Sequence, residues 1–323
     1  MSAAAATVIE RVHRVGRRLG ARGMEALDDL LAQSFALPLD DARYRDNALV
    51  PGELPYEESF SERAPDALRV DLEPFGPGLA ARARLEETRG WLTDLGARLF
   101  PACAGACRDR VAAWQALGGA ARFGAFAGAA FDRDGVVELK LYREVGDAAH
   151  LPPGARALLA DAAAAVPGVV PLLHAVSVGR HGVAERLYLR CGDGLRLADL
   201  AGLDGAAPGV PALAMAAAAL TGRMFLVPNT AILGLRRVAG GCEIKLELLP
   251  AALPPPAQTL AAAERLLIDA RGALRRWCAA IGPLRGDHAI GAVSVRIAPG
   301  APPALNLYAR PLGRGEPLVL AAG

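Results

Sequence analysis

The sequence predicts an α+β protein in which ten antiparallel β-strands close into a barrel with helices on the outside. Three observations support this fold class. A short phrase, a basic residue followed two places later by a tyrosine or an acid, recurs five times along the chain. A turn-forming segment and an extended run precede each copy, which is the pattern of a β-hairpin. Segments rich in alanine and leucine, typical of helices, separate the hairpins.

An apolar residue follows the basic position in every copy, and asparagine replaces the basic residue in the last copy. The copies read Leu68-Arg69-Val70-Asp71, Leu139-Lys140-Leu141-Tyr142, Glu185-Arg186-Leu187-Tyr188, Ile244-Lys245-Leu246-Glu247 and Leu305-Asn306-Leu307-Tyr308. Their key positions, 69, 140, 186, 245 and 306, lie 46 to 71 residues apart. Intervals of this length indicate a repeated supersecondary unit.

Helices are predicted between the hairpins because these segments are rich in Ala, Leu and Arg and contain few β-branched residues. The predicted ranges are 5–35, 79–117, 154–166, 195–224 and 257–281. The repeating unit is therefore a helical segment followed by two antiparallel strands. Ten such strands would leave unpaired edges in an open sheet, so we expect them to close into a ring with the helices outside.

The polar residues of each copy are expected to line the inside of this barrel. Side chains alternate between the two faces of a strand, so the aliphatic residues then meet the helices. One ring of the lumen is cationic, with Arg69, Lys140, Arg186 and Lys245, Asn306 in the fifth place, and Arg236 and Arg296 from the first strands of hairpins four and five. A second ring contains Asp71, Tyr142, Tyr188, Glu247 and Tyr308.

These two rings predict a site that ionises an allylic diphosphate. Cations that face one another repel, and their burial is costly unless an anion lies among them. Arginine forks and lysine point charges together suit the oxygens of a diphosphate. Tyrosines one layer away provide π faces that stabilise a carbocation. The alternative is that the polar residues are solvent-facing positions of ordinary amphipathic hairpins; five copies in register favour the lumen.

The hairpins resemble those of the aromatic prenyltransferases whose ααββ repeats build the prenyltransferase barrel, and within them the bacterial dimethylallyltryptophan synthase group. In hairpin one, Pro55-Tyr56-Glu57-Glu58-Ser59-Phe60 is followed by Arg69-Val70-Asp71-Leu72-Glu73-Pro74, which is similar to the family's Glu-x-Ser-aromatic and Arg-x-x-x-Glu-Pro strands. Lys140-Leu141-Tyr142 resembles its Lys-x-Tyr strands. The resemblance covers about residues 50–311 and is weakest in hairpin four.

The resemblance implies a role for each matching residue. Glu57 corresponds to the carboxylate that accepts a proton from the aromatic acceptor, and Glu58 is the alternative if the strand shifts by one residue. The residues that correspond to diphosphate ligands are Arg69, Lys140 and Arg186, with Lys245 and Arg296 placed as much by the internal repeat as by the family. The residues that correspond to a tyrosine shield around the prenyl cation are Tyr142, Tyr188 and Tyr308.

Three departures from the family pattern bear on donor binding. Ala184 replaces a family arginine, Glu247 stands where a shielding tyrosine is expected, and the strand 125–129 lacks a lysine. We therefore expect weaker diphosphate binding or a differently placed donor. Small residues on the lumen strands, in contrast, predict a roomy cavity; they are Ala127, Ala129, Ser177, Gly179, Gly234 and Ser294.

The expected function is that of an enzyme, an aromatic prenyltransferase. By the resemblance, it transfers a dimethylallyl group from its diphosphate to an electron-rich aromatic ring such as an indole, with no cofactor and no metal. The sequence lacks the Asp-Asp-x-x-Asp cluster of magnesium-dependent terpene synthases. Two alternatives stay open: a related barrel enzyme that acts on a peptide or a non-aromatic acceptor, and a non-catalytic barrel that binds a small hydrophobic or anionic molecule.

Composition limits the remaining possibilities. The even repeats within 323 residues favour one domain, with a helical lead-in at 1–50, repeats at 50–311 and a tail at 312–323. A net charge of +2 with mixed signs argues against a nucleic-acid partner. The apolar stretch around 210–227 contains Arg223, so no membrane association is expected. Five irregularly spaced cysteines suit the reducing cytoplasm, and we expect a monomer or a homodimer.

Overall fold

Ten strands form a closed antiparallel barrel in the computed structural model, which describes residues 1–114, 121–267, 270–286 and 289–312. The strands are β1 (Tyr56–Ser61), β2 (Leu68–Leu72), β3 (Ala125–Asp132), β4 (Gly135–Glu144), β5 (Val169–Gly179), β6 (Gly182–Cys191), β7 (Leu195–Arg196), β8 (Phe225–Leu226), β9 (Ala231–Val238), β10 (Gly241–Leu248), β11 (Ile290–Ala298) and β12 (Ala301–Ala309). Only β7 and β8, which pair with each other, lie outside the barrel among these strands. The predicted barrel is confirmed.

Neighbouring strands around the barrel follow the order β1-β12-β11-β10-β9-β6-β5-β4-β3-β2. Each of the five predicted hairpins therefore contributes two adjacent strands. The ring closes where β1 pairs with β12, with Glu58 opposite Ala309 and Ser61 opposite Asn306. Because the sheet is closed, no barrel strand has a free edge.

Helices precede each hairpin, as predicted. They are α1 (Ala3–Leu19), α2 (Asp28–Ser34), α3 (Ala81–Leu99), α4 (Ala104–Ala112), α5 (Pro153–Ala165), α6 (Val210–Thr221), α7 (Pro256–Leu266) and α8 (Arg271–Ile281). Within the described ranges, hairpins one, two and five follow two α-helices each, and hairpins three and four follow one. Residues 115–117 and 268–269 of the predicted helices, and all but Leu312 of the predicted tail, lie outside the described residues.

The predicted helix at 195–224 is wrong in its first half. This segment begins with the short strand β7 and a 3-10 helix at Leu197–Gly202, and α6 starts only at Val210. Gly205 has a φ of +66°, and an added Cβ there would lie 2.4 Å from the carbonyl oxygen of Gly240. The segment therefore leaves the helical conformation and packs closely against the turn of hairpin four.

The aliphatic faces of the strands pack against the helices, where the largest core cluster lies. Trp277 of α8 is fully buried, with its ring centroid 6.0 Å from that of Phe60 on β1. Beside it, the Arg11 guanidinium of α1 donates hydrogen bonds of 2.9 Å to both carboxylate oxygens of Glu58 and one of 2.8 Å to the carbonyl of Ile281. This network joins α1, β1 and the end of α8.

Strand register determines which small residues face the lumen. On β3, Ala127 belongs to the core between barrel and helices, so its predicted place in the lumen is wrong. Ala129 packs in the same core and also borders the lumen cavity of Arg69 and Lys140. Gly128 between them lies opposite Asp71 and Lys140 and faces inward. Elsewhere the register matches the prediction, with Ser177 opposite Lys140 and Gly234 opposite Lys245. In the part of the chain described here, no helix is both long and apolar enough to cross a membrane.

Candidate active site

The lumen has a cationic end and an apolar end, separated by a layer of tyrosines. The cationic end holds a cavity of about 350 Å³ that Arg69, Lys140 and Arg186 line together. The apolar end holds a cavity of about 370 Å³ that contains Glu57. The apolar walls of this second cavity include Leu49, Phe123, Phe126, Leu173 and Ile232. Tyr142 and Tyr188 line both cavities.

At the cationic end, Glu243 accepts hydrogen bonds from three arginines that we call the arginine cluster: Arg186, Arg236 and Arg296. Arg186 donates to one carboxylate oxygen, and Arg236, at 2.9 Å, and Arg296 donate to the other. Arg63 lies 3.7 Å away. Although burial opposes the charge of Glu243, these arginines lower its pKa to about 2. The carboxylate is therefore ionised at neutral pH.

A second carboxylate, Glu138, accompanies Lys140. The Lys140 ammonium lies 2.8 Å from Glu138. Burial opposes the ionisation of Glu138, but Lys140 and Arg69 lower its pKa to about 2. Burial lowers the pKa of Lys140, while Glu138 counteracts this effect. The cations predicted for this end are thus present, and two acids that the sequence reasoning missed lie among them.

Several guanidinium nitrogens at the cationic end are buried without a hydrogen-bond acceptor. They are Arg69 Nε, Arg186 Nη1, Arg236 Nε and Arg296 Nε. An unmatched buried donor is costly, and a charged one more so. Neither Glu138 nor Glu243 accepts a hydrogen bond from these nitrogens. The site therefore has the chemistry to accept a further anion with several oxygens.

The tyrosine layer contains Tyr142, Tyr188 and Tyr308 around Lys245. The rings of Tyr142 and Tyr188 lie 5.8 Å apart. The Lys245 ammonium is 4.9 Å from the centre of the Tyr308 ring and 5.6 Å from that of Tyr188, and it is paired with Glu247. Burial opposes the charge of Lys245, but Glu247 and the tyrosines raise its pKa well above the usual value. Lys245 is thus a cation within the aromatic layer whose charge Glu247 neutralises.

Glu57 lies on β1 at the apolar end, where its side chain is buried. Burial raises its pKa to about 7, a rise that Arg310 opposes and Asp71 increases. Arg310 donates a weak hydrogen bond of 3.3 Å to Glu57 Oε1. Gly291 makes room for this carboxylate, since a Cβ at that position would lie 2.1 Å from Oε1. Glu58, the alternative base, points out of the lumen to Arg11.

Solved structures with this architecture are similar along nearly the whole chain. The 5-dimethylallyltryptophan synthase from Streptomyces coelicolor has a TM-score of 0.72 at 19% identity, with 96% of this chain and 98% of that chain covered. The 6-dimethylallyltryptophan synthase from Micromonospora olivasterospora has a TM-score of 0.73 at 19% identity and the same coverage. The prenyltransferase PriB has a TM-score of 0.71 at 18% identity, with 98% of this chain and 99% of that chain covered. The fold is the prenyltransferase barrel.

This result confirms, at the level of the fold, the resemblance carried by the hairpin motifs. No protein-family model matches the sequence, and no curated protein matches it. Within the prenyltransferase barrel, the predicted diphosphate ligands all face the lumen: Arg69, Lys140, Arg186, Lys245 and Arg296. Lys245 is displaced from the other four towards the apolar end, since it also lines the cavity of Glu57.

Two buried carboxylates, Glu144 and Glu73, position walls of the apolar cavity. Glu144 accepts hydrogen bonds of 2.8–3.0 Å from the backbone N–H groups of residues 122–124. This contact holds Phe123, which stacks on Phe126 with ring centroids 4.5 Å apart. Glu73, from the motif of hairpin one, accepts from the Ala48 N–H and pairs with Arg84 at 2.9 Å. These carboxylates therefore hold Ala48 and Phe123, which line the apolar cavity of the prenyltransferase barrel.

Other reactive groups lie away from the lumen. His174 is buried outside the barrel, where its Nδ1 accepts a 2.8 Å hydrogen bond from Trp114, and burial lowers its pKa to about 4. It is a neutral packing residue. Across the described ranges, no group of three or more His, Cys, Asp or Glu side chains is arranged to hold a metal ion. Metal independence remains a prediction.

The sequence reasoning missed Glu138, Glu243 and Arg310. For the two acids the strand period was a usable signal, because Glu138 is two residues before Lys140 and Glu243 two before Lys245. Each therefore shares the inward face with the cation that follows it. Arg310 follows the end of β12, where strand alternation no longer applies.

Proposed function

We propose that this chain is an aromatic prenyltransferase that transfers a dimethylallyl group from its diphosphate to an electron-rich aromatic acceptor such as an indole, without a metal. One observation carries the proposal. A single lumen places unmatched cationic donors, a tyrosine layer and a carboxylate with a pKa of about 7 in that order. This order follows the leaving group, the carbocation and the acceptor of a prenyl transfer.

The donor's diphosphate would occupy the cationic end. Arg69, Arg186 and Arg296 have unbonded nitrogens there, and Lys140 supplies a further positive charge. As the allylic C–O bond breaks, negative charge accumulates on the leaving oxygens. Cations already in place stabilise this charge without reorganisation. PriB, which has the same fold, has been crystallised with product diphosphate.

The prenyl group would then lie in the tyrosine layer. The rings of Tyr142, Tyr188 and Tyr308 surround the space between the two cavities, so they exclude water and face the allyl cation. Glu247 replaces an expected tyrosine here, but it is paired with Lys245. This pairing explains how the layer accommodates a glutamate in place of a tyrosine, because Lys245 neutralises its negative charge.

The aromatic acceptor would occupy the apolar cavity next to Glu57. A ring carbon attacks the allyl cation, a new C–C bond forms, and the ring system loses one proton to the Glu57 carboxylate. A pKa near 7 suits this general base, since a substantial fraction is ionised at neutral pH while the proton is still held well. The M. olivasterospora synthase of the same fold has been solved with DMASPP and Trp.

The test is incubation of the purified protein with dimethylallyl diphosphate and a panel of indoles and phenols in excess EDTA, analysed by mass spectrometry. We expect a product that is heavier than its acceptor by one dimethylallyl group in place of a hydrogen. Glu57→Gln and Lys140→Ala should lose it, because they remove the base and a leaving-group cation. Glu264→Gln, a matched change in an exposed pair with Arg275, should retain it.

Other outcomes would select an alternative. Product that forms only with added Mg²⁺ would contradict metal independence but support the reaction class. Transfer only to a peptide or a non-aromatic acceptor would indicate the related barrel enzyme. Absence of product with five-, ten- and fifteen-carbon donors, together with measurable diphosphate binding, would indicate a binding barrel.

A further inference from the structure

The carboxylate of Glu243 contacts four arginines that line the cavity that the proposed function assigns to diphosphate. Its side chain is only 1% exposed. Its two oxygens serve four guanidinium groups, those of the arginine cluster and, at 3.7 Å, Arg63. An anion is thus already built into a site whose expected ligand is an anion.

The hydrogen bonds show which arginine nitrogens have no acceptor in Glu243. Arg186, Arg236 and Arg296 each donate through Nη2 to this carboxylate. Arg186 Nη1, Arg236 Nε and Arg296 Nε stay buried without an acceptor. Glu243 therefore lowers the mutual repulsion of the arginines but does not satisfy them, and a ligand with more oxygens can bind the remaining donors.

Any diphosphate that binds these donors must come close to Glu243, because both contact the same guanidinium groups. Like charges at such distances in a buried site repel by more than the equivalent of a tenfold change in affinity. The carboxylate is held in place by hydrogen bonds from three arginines, so it cannot easily turn away. The site attracts diphosphate through its cations, and the Glu243 carboxylate weakens that attraction.

We propose that Glu243 is a resident counter-anion that sets the affinity of the site for diphosphate: it balances the arginine cluster before the donor binds and promotes release of diphosphate after the reaction. This inference rests on the proposed function. Glu243 touches the residues that would hold the leaving group, so it acts as a positioning and affinity-setting residue. Product release limits the rate of many enzymes, and a multiply charged product among many arginines is strongly held.

The test is calorimetric titration with inorganic pyrophosphate, which needs no catalysis. We expect Glu243→Gln to lower the dissociation constant at least tenfold, about 1.4 kcal/mol at 25 °C. The amide keeps the shape and one acceptor oxygen but removes the charge. Glu264→Gln, which makes the same change in the exposed pair with Arg275, should alter the constant less than twofold. A thermal melt of each variant checks folding.

Loss of the counter-anion can destabilise the barrel, so a second pair of variants repeats the comparison. Arg236→Gln removes one cation of the cluster, and Arg236→Gln combined with Glu243→Gln removes one charge of each sign. The double variant should bind pyrophosphate at least tenfold more tightly than Arg236→Gln alone. In both comparisons, an unchanged or larger dissociation constant overturns the inference, because Glu243 would then only orient the arginines.

The titration separates this inference from the proposed function. Wild-type protein that binds pyrophosphate, with no gain in Glu243→Gln, overturns the role of Glu243 alone. Failure of the wild type and all variants to bind at millimolar concentrations overturns both. In steady-state assays, pyrophosphate should inhibit Glu243→Gln with a constant at least tenfold below that of the wild type; equal inhibition contradicts a role in release.

Discussion

Glu57 and Glu58 are adjacent in sequence but occupy opposite sides of the barrel wall. Glu57 faces an apolar cavity, where burial raises its pKa to about 7. Glu58 faces the helices and accepts two hydrogen bonds from Arg11. Since strand side chains alternate, one of the two had to enter the lumen, and the register of β1 decides which. The family resemblance favoured Glu57, and the structure places Glu57 inside.

The raised pKa of Glu57 predicts the pH dependence of prenyl transfer. In the proposed reaction the ionised carboxylate is the base, so kcat/KM should rise with pH through about 7 and then level off. Glu57→Gln should lower the rate by about 10²–10⁴-fold and abolish this rise. The measurement is a pH–rate profile from 5 to 9 for both proteins. A wild-type profile that is flat from 6 to 8 would exclude Glu57 as the base.

Gly291 is predicted to be essential for the position of Glu57. An alanine Cβ would lie 2.1 Å from Glu57 Oε1 and 3.0 Å from Arg310 Nε, so the carboxylate must move. A shift of about 1 Å at a reacting group can cost 10²-fold, and we expect Gly291→Ala to lower kcat by about 10–100-fold. The matched control is Gly90→Ala on α3, where an added Cβ meets no atom within 4 Å. Equal kcat in both variants would contradict this role.

At the scale of elements, strand alternation made the hairpins and most lumen residues predictable. At the centres of β4, β6 and β12, the polar inward residues Lys140, Arg186 and Asn306 lie next to outward leucines, so the pattern fixes the face there. In β3 the run Ala125–Ala130 contains only small or apolar residues, so sequence alone gives no face. Pairing of Gly128 with Lys140 assigns it instead. A tertiary contact was needed where the pattern was uniform.

The same reasoning explains why the segment after β6 was mispredicted. Its alanine and leucine content favours a helix, but its fold depends on a glycine contact with a turn 35 residues later, from Gly205 to Gly240. Local propensity is a weak prior that tertiary packing overrides. Glu243 was missed for another reason, since a pattern built on the basic positions gave no weight to an acid two residues before one of them.

The Arg11–Glu58 pair between α1 and β1 is predicted to stabilise the fold without acting in the chemistry. Glu58→Gln leaves the Arg11 charge buried and unpaired, which should lower the free energy of unfolding by about 3–5 kcal/mol. Urea denaturation measures this change. The folded variant should keep the pH–rate profile of the wild type, because its Glu57 is unchanged. A shifted profile with normal stability would reverse the roles of the two glutamates.

At the scale of the whole molecule, two acids in the lumen make the free energy of unfolding depend on pH. Neighbouring cations lower the pKa of Glu138 and Glu243 to about 2, compared with an ordinary 4.5. The unfolded chain therefore takes up these protons first, and the free energy of unfolding should fall as the pH drops from 4.5 towards 2. Replacing both residues with glutamine should reduce this slope in acid denaturation curves. An unchanged slope would place the acid-sensitive groups elsewhere.

Closure of the ring by β1 and β12 has a consequence for biosynthesis. Glu58 and Ala309 pair across the seam, so β1 leaves the ribosome long before its partner is made, on the order of ten to fifty seconds at ordinary elongation rates. During this interval the nascent sheet has two unprotected edges and depends on chaperones or on its own helices to avoid aggregation. The contact between Glu57 and Arg310 spans the same seam. The proposed active site is therefore among the last parts of the molecule to mature.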